Sequence, residues 1–293
     1  MDRGIDNRWH PSSCWRVVFR LFRTNPRYVH LALAGALLFA PGRLTAEPTA
    51  KAAGWDLLSQ FLYRDAAEAF AQDQAGGRLR DLGLAAAILN EPPVTPGKIE
   101  QAGALLREVA AGGWDDEGSY ARYLLARIKQ VHLGAPVPEV EEAYRELITT
   151  VPESASAQLG AVQLSLLLLY QRSDLAVPAR IVAAAELAPV AGHARLPDIA
   201  ATYFQQLAVA AMYYGITDER VLGWLKSAHA LGLSNQLDQS TLSLQVAETA
   251  RALRQRATAV DYYQRFLATA ASTDPRYFTA EMRMRELQPE GEQ

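Results

Sequence analysis

From about residue 50 onward the sequence is a series of short helix-forming stretches cut by brief breaks, and this pattern limits the fold more than any other feature. Leucine and alanine dominate, β-branched runs are rare, and no segment alternates apolar and polar residues with period two for long. Breaks stand at Gly76-Gly77, Pro92-Pro93 to Gly97, Gly112-Gly113, Gly134 to Pro138, Pro189 to Gly192, Gly215, Gly232 and Asp274-Pro275. Between them the spacing predicts helices over 50–61, 63–75, 79–90, 97–111, 118–132, 137–150 and 155–171, then over 175–188, 197–214, 217–231, 238–253, 256–271 and 275–287. Thr217 is expected to cap its helix, with Asp218 and Glu219 at the positive end of the dipole, and Gly232 to close it. Asp274 or Thr273 is expected to cap the last helix, with Pro275 in its first turn. Asp115-Asp116-Glu117 reads as an acidic helix start in preference to a metal-ligand cluster.

The segment before residue 47 has a different character. Six arginines from Arg3 to Arg27 stand against Asp2 and Asp6, an apolar run follows from Tyr28 to Ala40 with only His30 in it, and Leu44-Thr45-Ala46 ends in small residues. Basic region, short apolar core and small-residue exit predict a secretory signal peptide over 1–46, with an uncleaved anchor as the alternative. The run is shorter than the roughly 20 apolar residues a bilayer span needs. The single cysteine, Cys14, precedes the apolar run, so a lipoprotein attachment cysteine is lacking and thiol chemistry is excluded from residues 47–293. A periplasmic or secreted product is expected, touching the membrane only through the signal. Without 1–46 the chain keeps 22 basic and 30 acidic residues, a net of −8, which argues against nucleic-acid binding. A composition that is 49% hydrophobic and 21% charged excludes wholesale disorder. Residues 47–287 are therefore read as one helical domain, and 288–293 as a disordered tail.

The predicted helices come in pairs, and the second helix of a pair carries a recurring apolar–small–large pattern. Tyr63, Ala66 and Phe70 fit it, as do Ile99, Ala102 and Leu106, then Val140, Ala143 and Leu147; the last pair offers Ala259, Tyr263 and Phe266. Taking Ala66, Ala102, Ala143, Ala179, Trp224 and Ala259 as equivalent gives steps of 36, 41, 36, 45 and 35 residues. Gly54 and Ala247 stand twelve residues before Ala66 and Ala259, where two helices would cross closely.

On these residues, roughly over 50–287, the chain resembles the tetratricopeptide-repeat family, whose period is about 34 residues. The 221–232 segment looks more like the related Sel1-type repeat. The resemblance implies an all-α, right-handed α-solenoid of about five to six antiparallel helix pairs with a C-terminal capping helix. It further implies an exported, non-catalytic interaction scaffold that binds a protein or peptide partner on its concave surface, in envelope assembly or secretion. In the family register Trp55 and Arg251 face the groove, and Arg254 and Arg256 follow in the next turn, so these four are the candidate partner-binding residues. Between 251 and 285 seven arginines stand against three acids on an otherwise acidic chain.

No catalytic or metal-binding residue is assigned, and no cofactor is expected. The sequence lacks a Gly-x-Ser-x-Gly elbow, a phosphate loop and a His-Glu-x-x-His pair, and His132, His193 and His229 are far apart. The competing reading is a helical enzyme or carbohydrate-binding protein acting on envelope polymer. The sequence leaves the oligomeric state and the partner open.

Overall fold

A computed structural model describes residues 50–287, so the signal peptide expected over 1–46 and the tail over 288–293 lie outside the described residues. Fourteen helices fill that span: α1 (Ala50–Ser59), α2 (Tyr63–Gln72), α3 (Arg78–Asn90), α4 (Pro96–Ala111), α5 (Asp116–Val131), α6 (Val137–Thr150) and α7 (Ala155–Tyr170). They continue with α8 (Val177–Ala185), α9 (Ala188–Ala191), α10 (Pro197–Tyr213), α11 (Glu219–Leu231), α12 (Gln236–Ala252), α13 (Arg256–Thr269) and α14 (Tyr277–Leu287).

The helix starts have plain chemical causes. Thr95, Asp115, Ser154, Asp218 and Asn235 each turn a side-chain oxygen onto an amide of the first turn, satisfying a donor that the helix itself leaves orphaned. The acidic start at Asp115 is thus a cap. For α11 the cap is Asp218, whose Oδ1 accepts from the amides of Arg220 and Val221 at 3.0 and 3.2 Å, and not the expected Thr217. The stretch expected to run as one helix over 175–188 is broken. Pro189 has no N–H to give to Ala185, so the chain tightens at Glu186 and Leu187 and restarts as the short α9.

Neighbours in sequence are neighbours in space. α1 packs with α2, α3 with α4, α5 with α6, α7 with α8 and α9, α10 with α11, and α12 with α13, and α14 lies against α13. Each such pair also packs on the next, through α2 with α3, α4 with α5, α6 with α7, α7 with α10, and α11 with α12. This sequential order is that of a helical repeat array.

The core lies between the two helices of each pair. Ala66 and Phe70, Ala102 and Leu106, Val140 and Tyr144, Val221 and Leu225, and Ala259 and Tyr263 are buried pairs one helical turn apart. Ala66, Ala102 and Ala259 therefore occupy the close-contact positions expected of them. Ala143 and Trp224 are only half-buried and Ala179 is exposed; the buried positions lie three residues earlier, at Val140 and Val221, in α6 and α11. The reason is visible at α6. There the facing helix supplies the small residue: a Cβ on Gly160 would stand 3.1 Å from Leu147 and 3.5 Å from Tyr144, so α6 itself can be large. In the first pair Phe70 fills the space left by two glycines. A Cβ on Gly54 would lie 2.8 Å from its ring, and one on Gly83 2.3 Å, while Trp55 closes on it edge-first at 5.4 Å.

Polar side chains stitch successive pairs together along both edges. Where the first helices begin, Arg78 binds Asp115, Ser119 meets Ser156, Gln158 donates to the His193 carbonyl, and Asp198 accepts from the Ser234 amide. Within the last pair Gln236 donates to the Thr269 carbonyl on the same edge, and Arg276, ahead of α14, donates to Thr241. The five bonds that reach from one pair to the next join residues 35 to 37 apart, the spacing expected when like positions of successive units stack. The opposite edge is tied by Arg64 to Glu91, Arg172 to Glu141, the Tyr214 hydroxyl to the Leu169 carbonyl, and Gln255 to Glu219.

Candidate functional site

Three of the four candidate binding residues surround the turn between α12 and α13. α12 ends by giving the Arg254 amide to the Arg251 carbonyl at 3.0 Å and the Gln255 amide to the Ala250 carbonyl at 2.8 Å. That pattern puts Arg254 in the left-handed region at φ 60°, a conformation costing a non-glycine residue about 1–2 kcal/mol. Phe61 occupies the matching place after α1, at φ 63°. Arg254 projects to solvent and has no ion pair among the described residues.

Its two neighbours are engaged within the fold. The Arg251 guanidinium lies 3.1 Å from Glu248, and Arg256 donates to the carbonyl of Leu287 at the end of α14. Glu248 is the hub of this corner. It also accepts from the Tyr263 hydroxyl and pairs with Arg283 of α14, both at 2.5 Å. Burial pushes the Glu248 pKa up, but the bonds from Tyr263, Arg283 and Arg251 outweigh that and hold it below the ordinary value. The Tyr263 hydroxyl is correspondingly pushed up, by burial first and by the carboxylate second. The arginines thus divide into Arg254, with no ion pair among the described residues, Arg251, which pairs with Glu248 on its own helix, and Arg256, which fastens α13 to the last helix.

Trp55 lies in the first pair, away from the arginines of the last. Half-buried, it packs with Leu57, Leu58, Ala67 and Leu84 around Phe70, and its indole Nε1 is buried with no partner among the described residues. Its visible role is to cover the first pair's core.

A polar row that sequence reasoning missed crosses the first helices. Arg127 of α5 donates to Gln130 at 2.9 Å and to Gln163 of α7 at 2.8 Å, and the Tyr144 hydroxyl joins Gln130 at 2.8 Å. Further along, Gln206 of α10 donates to Ser165 of α7 at 2.8 Å, and Gln205 donates to Gln245 of α12 at 3.2 Å. The only sequence signal was glutamine recurring at about the helix-pair spacing, which is the spacing of an ordinary exposed helix residue too. Amides carry donors and acceptors together, so such a row can bond the main chain of an extended segment laid across it.

Among the described residues no three metal-ligating side chains stand together. His132 and His229 have their pKa pushed down, chiefly by burial and secondarily by Arg127 and Arg265 respectively. His193 sits 3.5 Å from Glu153 at an exposed corner. No protein-family model matches the chain, and no curated protein matches it either.

Proposed function

We propose that this chain is an exported, non-catalytic scaffold that binds a protein or peptide segment across its first helices. In this reading the helices form a right-handed, tetratricopeptide-like solenoid of six pairs, with α14 as its cap and the first helices lining the concave side. The observation that carries the reading is the row of half-buried polar side chains from Arg127 to Gln245, which crosses four pairs on one set of helices. An extended partner fits such a row because four successive pairs each offer it a polar side chain, most of them amides with both a donor and an acceptor. Arg254 stands at the far end as a free cation and suits a carboxylate, with attraction that fades as salt rises.

The test is site-specific photocrosslinking in cell envelopes. A crosslinker replacing Gln205, on the polar row, should yield a discrete adduct; one replacing Glu142, on an exposed second-helix surface, should not. Equal adducts from both positions, or none from Gln205, would refute the assignment. For the export half of the reading, N-terminal sequencing of the mature product should begin near Glu47.

A further inference from the structure

The last described helix leaves two of its large apolar side chains uncovered. At 3.6 residues per turn, Phe278, Glu281, Met282 and Arg285 of α14 form one strip, and Ala280, Arg283 and Leu287 form the opposite one. The structure turns the Ala280, Arg283 and Leu287 strip inward. Ala280 is buried, Arg283 reaches Glu248, and the Leu287 carbonyl receives Arg256. Just before the helix, Arg276 bonds Thr241 and lies 5.5 Å over the Phe266 ring. The other strip faces solvent with its apolar members uncovered: Phe278 is 72% exposed, the highest of any large hydrophobic among the described residues, and Met282 is 44% exposed. Leu237, one turn before Thr241 on α12, adds a third exposed apolar side chain at this end. An end helix of a helical array ordinarily presents a polar outer face, because nothing stacks on it.

We infer that this face pairs with the same face of a second copy, the two α14 helices lying antiparallel about a two-fold axis. The chemistry of the strip selects that occupant. Its order is an aromatic ring at the N-terminal end, a thioether with a carboxylate in the middle, and a guanidinium at the C-terminal end. Read against itself in reverse, Phe278 meets the guanidinium of the other copy's Arg285, a cation–π contact made twice, and Met282 packs at the centre. A parallel arrangement would instead set guanidinium on guanidinium. The Glu281–Arg285 pair at 2.7 Å already balances the strip's charge, so two copies meet without net repulsion. The two-fold contact is closed, and so yields a dimer and not a filament.

The full chain, its Phe278→Lys variant and its Phe278→Lys/Arg285→Glu variant should be compared by sedimentation equilibrium over micromolar concentrations, with thermal melting to confirm folding. The parent should dimerise. Phe278→Lys places cation on cation at both ends and should weaken the dimer by about 30-fold or more, the loss of a central anchor. The second change should restore dimerisation, because lysine then opposes glutamate across the axis while residues 278 and 285 of one copy stay two turns apart. A parent that is monomeric throughout, or a dimer untouched by Phe278→Lys, would overturn the inference, as would failure of the double variant to recover. Binding of a monomeric parent to anionic vesicles, lost in Phe278→Lys, would overturn it in favour of a lipid surface.

Discussion

Gly83→Ala should change sign according to what stands at residue 70. In the native chain the new methyl would come 2.3 Å from the Phe70 Cζ, and the ring also lies so close to Gly54 that a Cβ there would stand 2.8 Å from it. Alanine is worth about 1 kcal/mol over glycine inside a helix. Overpacking a closed contact costs about 1–3 kcal/mol, so the net effect is a loss of up to about 2 kcal/mol. Phe70→Ala alone empties a fully buried site and should cost about 3–5 kcal/mol. In that background the clash is gone, and Gly83→Ala should stabilise by about 1 kcal/mol. The coupling in the double-mutant cycle then equals the overpacking cost, about 1–3 kcal/mol. Because each pair leans only on its neighbours, the readout is hydrogen exchange across α1–α3, with α12 and α13 as an internal control. If Gly83→Ala has the same sign and size with Phe70 and with Ala at that position, the wedge between the two glycines is not the contact that holds the first pair.

Three further outcomes follow from the geometry. Ala259→Leu should overpack the fully buried contact between α12 and α13 at a cost of about 1–3 kcal/mol, with protection lost first in α12–α14 by hydrogen exchange. Asp218→Ala should cost about 0.5–2 kcal/mol in urea unfolding while Thr217→Ala stays within about 0.5 kcal/mol, which checks which residue caps α11. The Arg78 guanidinium and the Gly118 amide hold the Asp115 carboxyl down to about 2, from 3.8. A depressed carboxylate contributes stability that is complete above pH 3.8 and is lost as pH falls toward 2, so Asp115→Asn should flatten the acid-unfolding curve in that window.

How much was legible depended on whether the cause was local. Breaks at glycine and proline, and caps such as Asp115, act within a few residues, and the helix order could be read from them. The break at Pro189 was read three residues late, because a proline without an N–H ends the helix at Ala185, a turn before the ring itself. Close-contact positions were harder. Ala66, Ala102 and Ala259 announce themselves because the small residue lies on the second helix, whereas at α6 the first helix of the next pair supplies it as Gly160 and the pattern slips by three residues. The arginine cluster was visible as composition, but Glu248 as its organiser was not. Arg251 is three residues from that carboxylate, yet Tyr263 and Arg283 reach it from two other helices. The glutamine row stayed hidden because a glutamine bonding the next pair and one bonding water look alike in sequence.

The seams between pairs also bear on how such a chain acquires its structure. Every edge bond that ties the starts of the first helices reaches forward by no more than 38 residues, and none spans the length of the array. The loop that must close before a pair is rewarded is therefore always short, whichever pair is considered. A chain emerging end-first can settle its first pair as soon as the next has appeared, then add pairs one at a time, with no segment kept waiting for a distant strand or helix. Low contact order of this kind favours fast assembly and brief exposure of apolar surface. Growth of structure should keep pace with growth of chain.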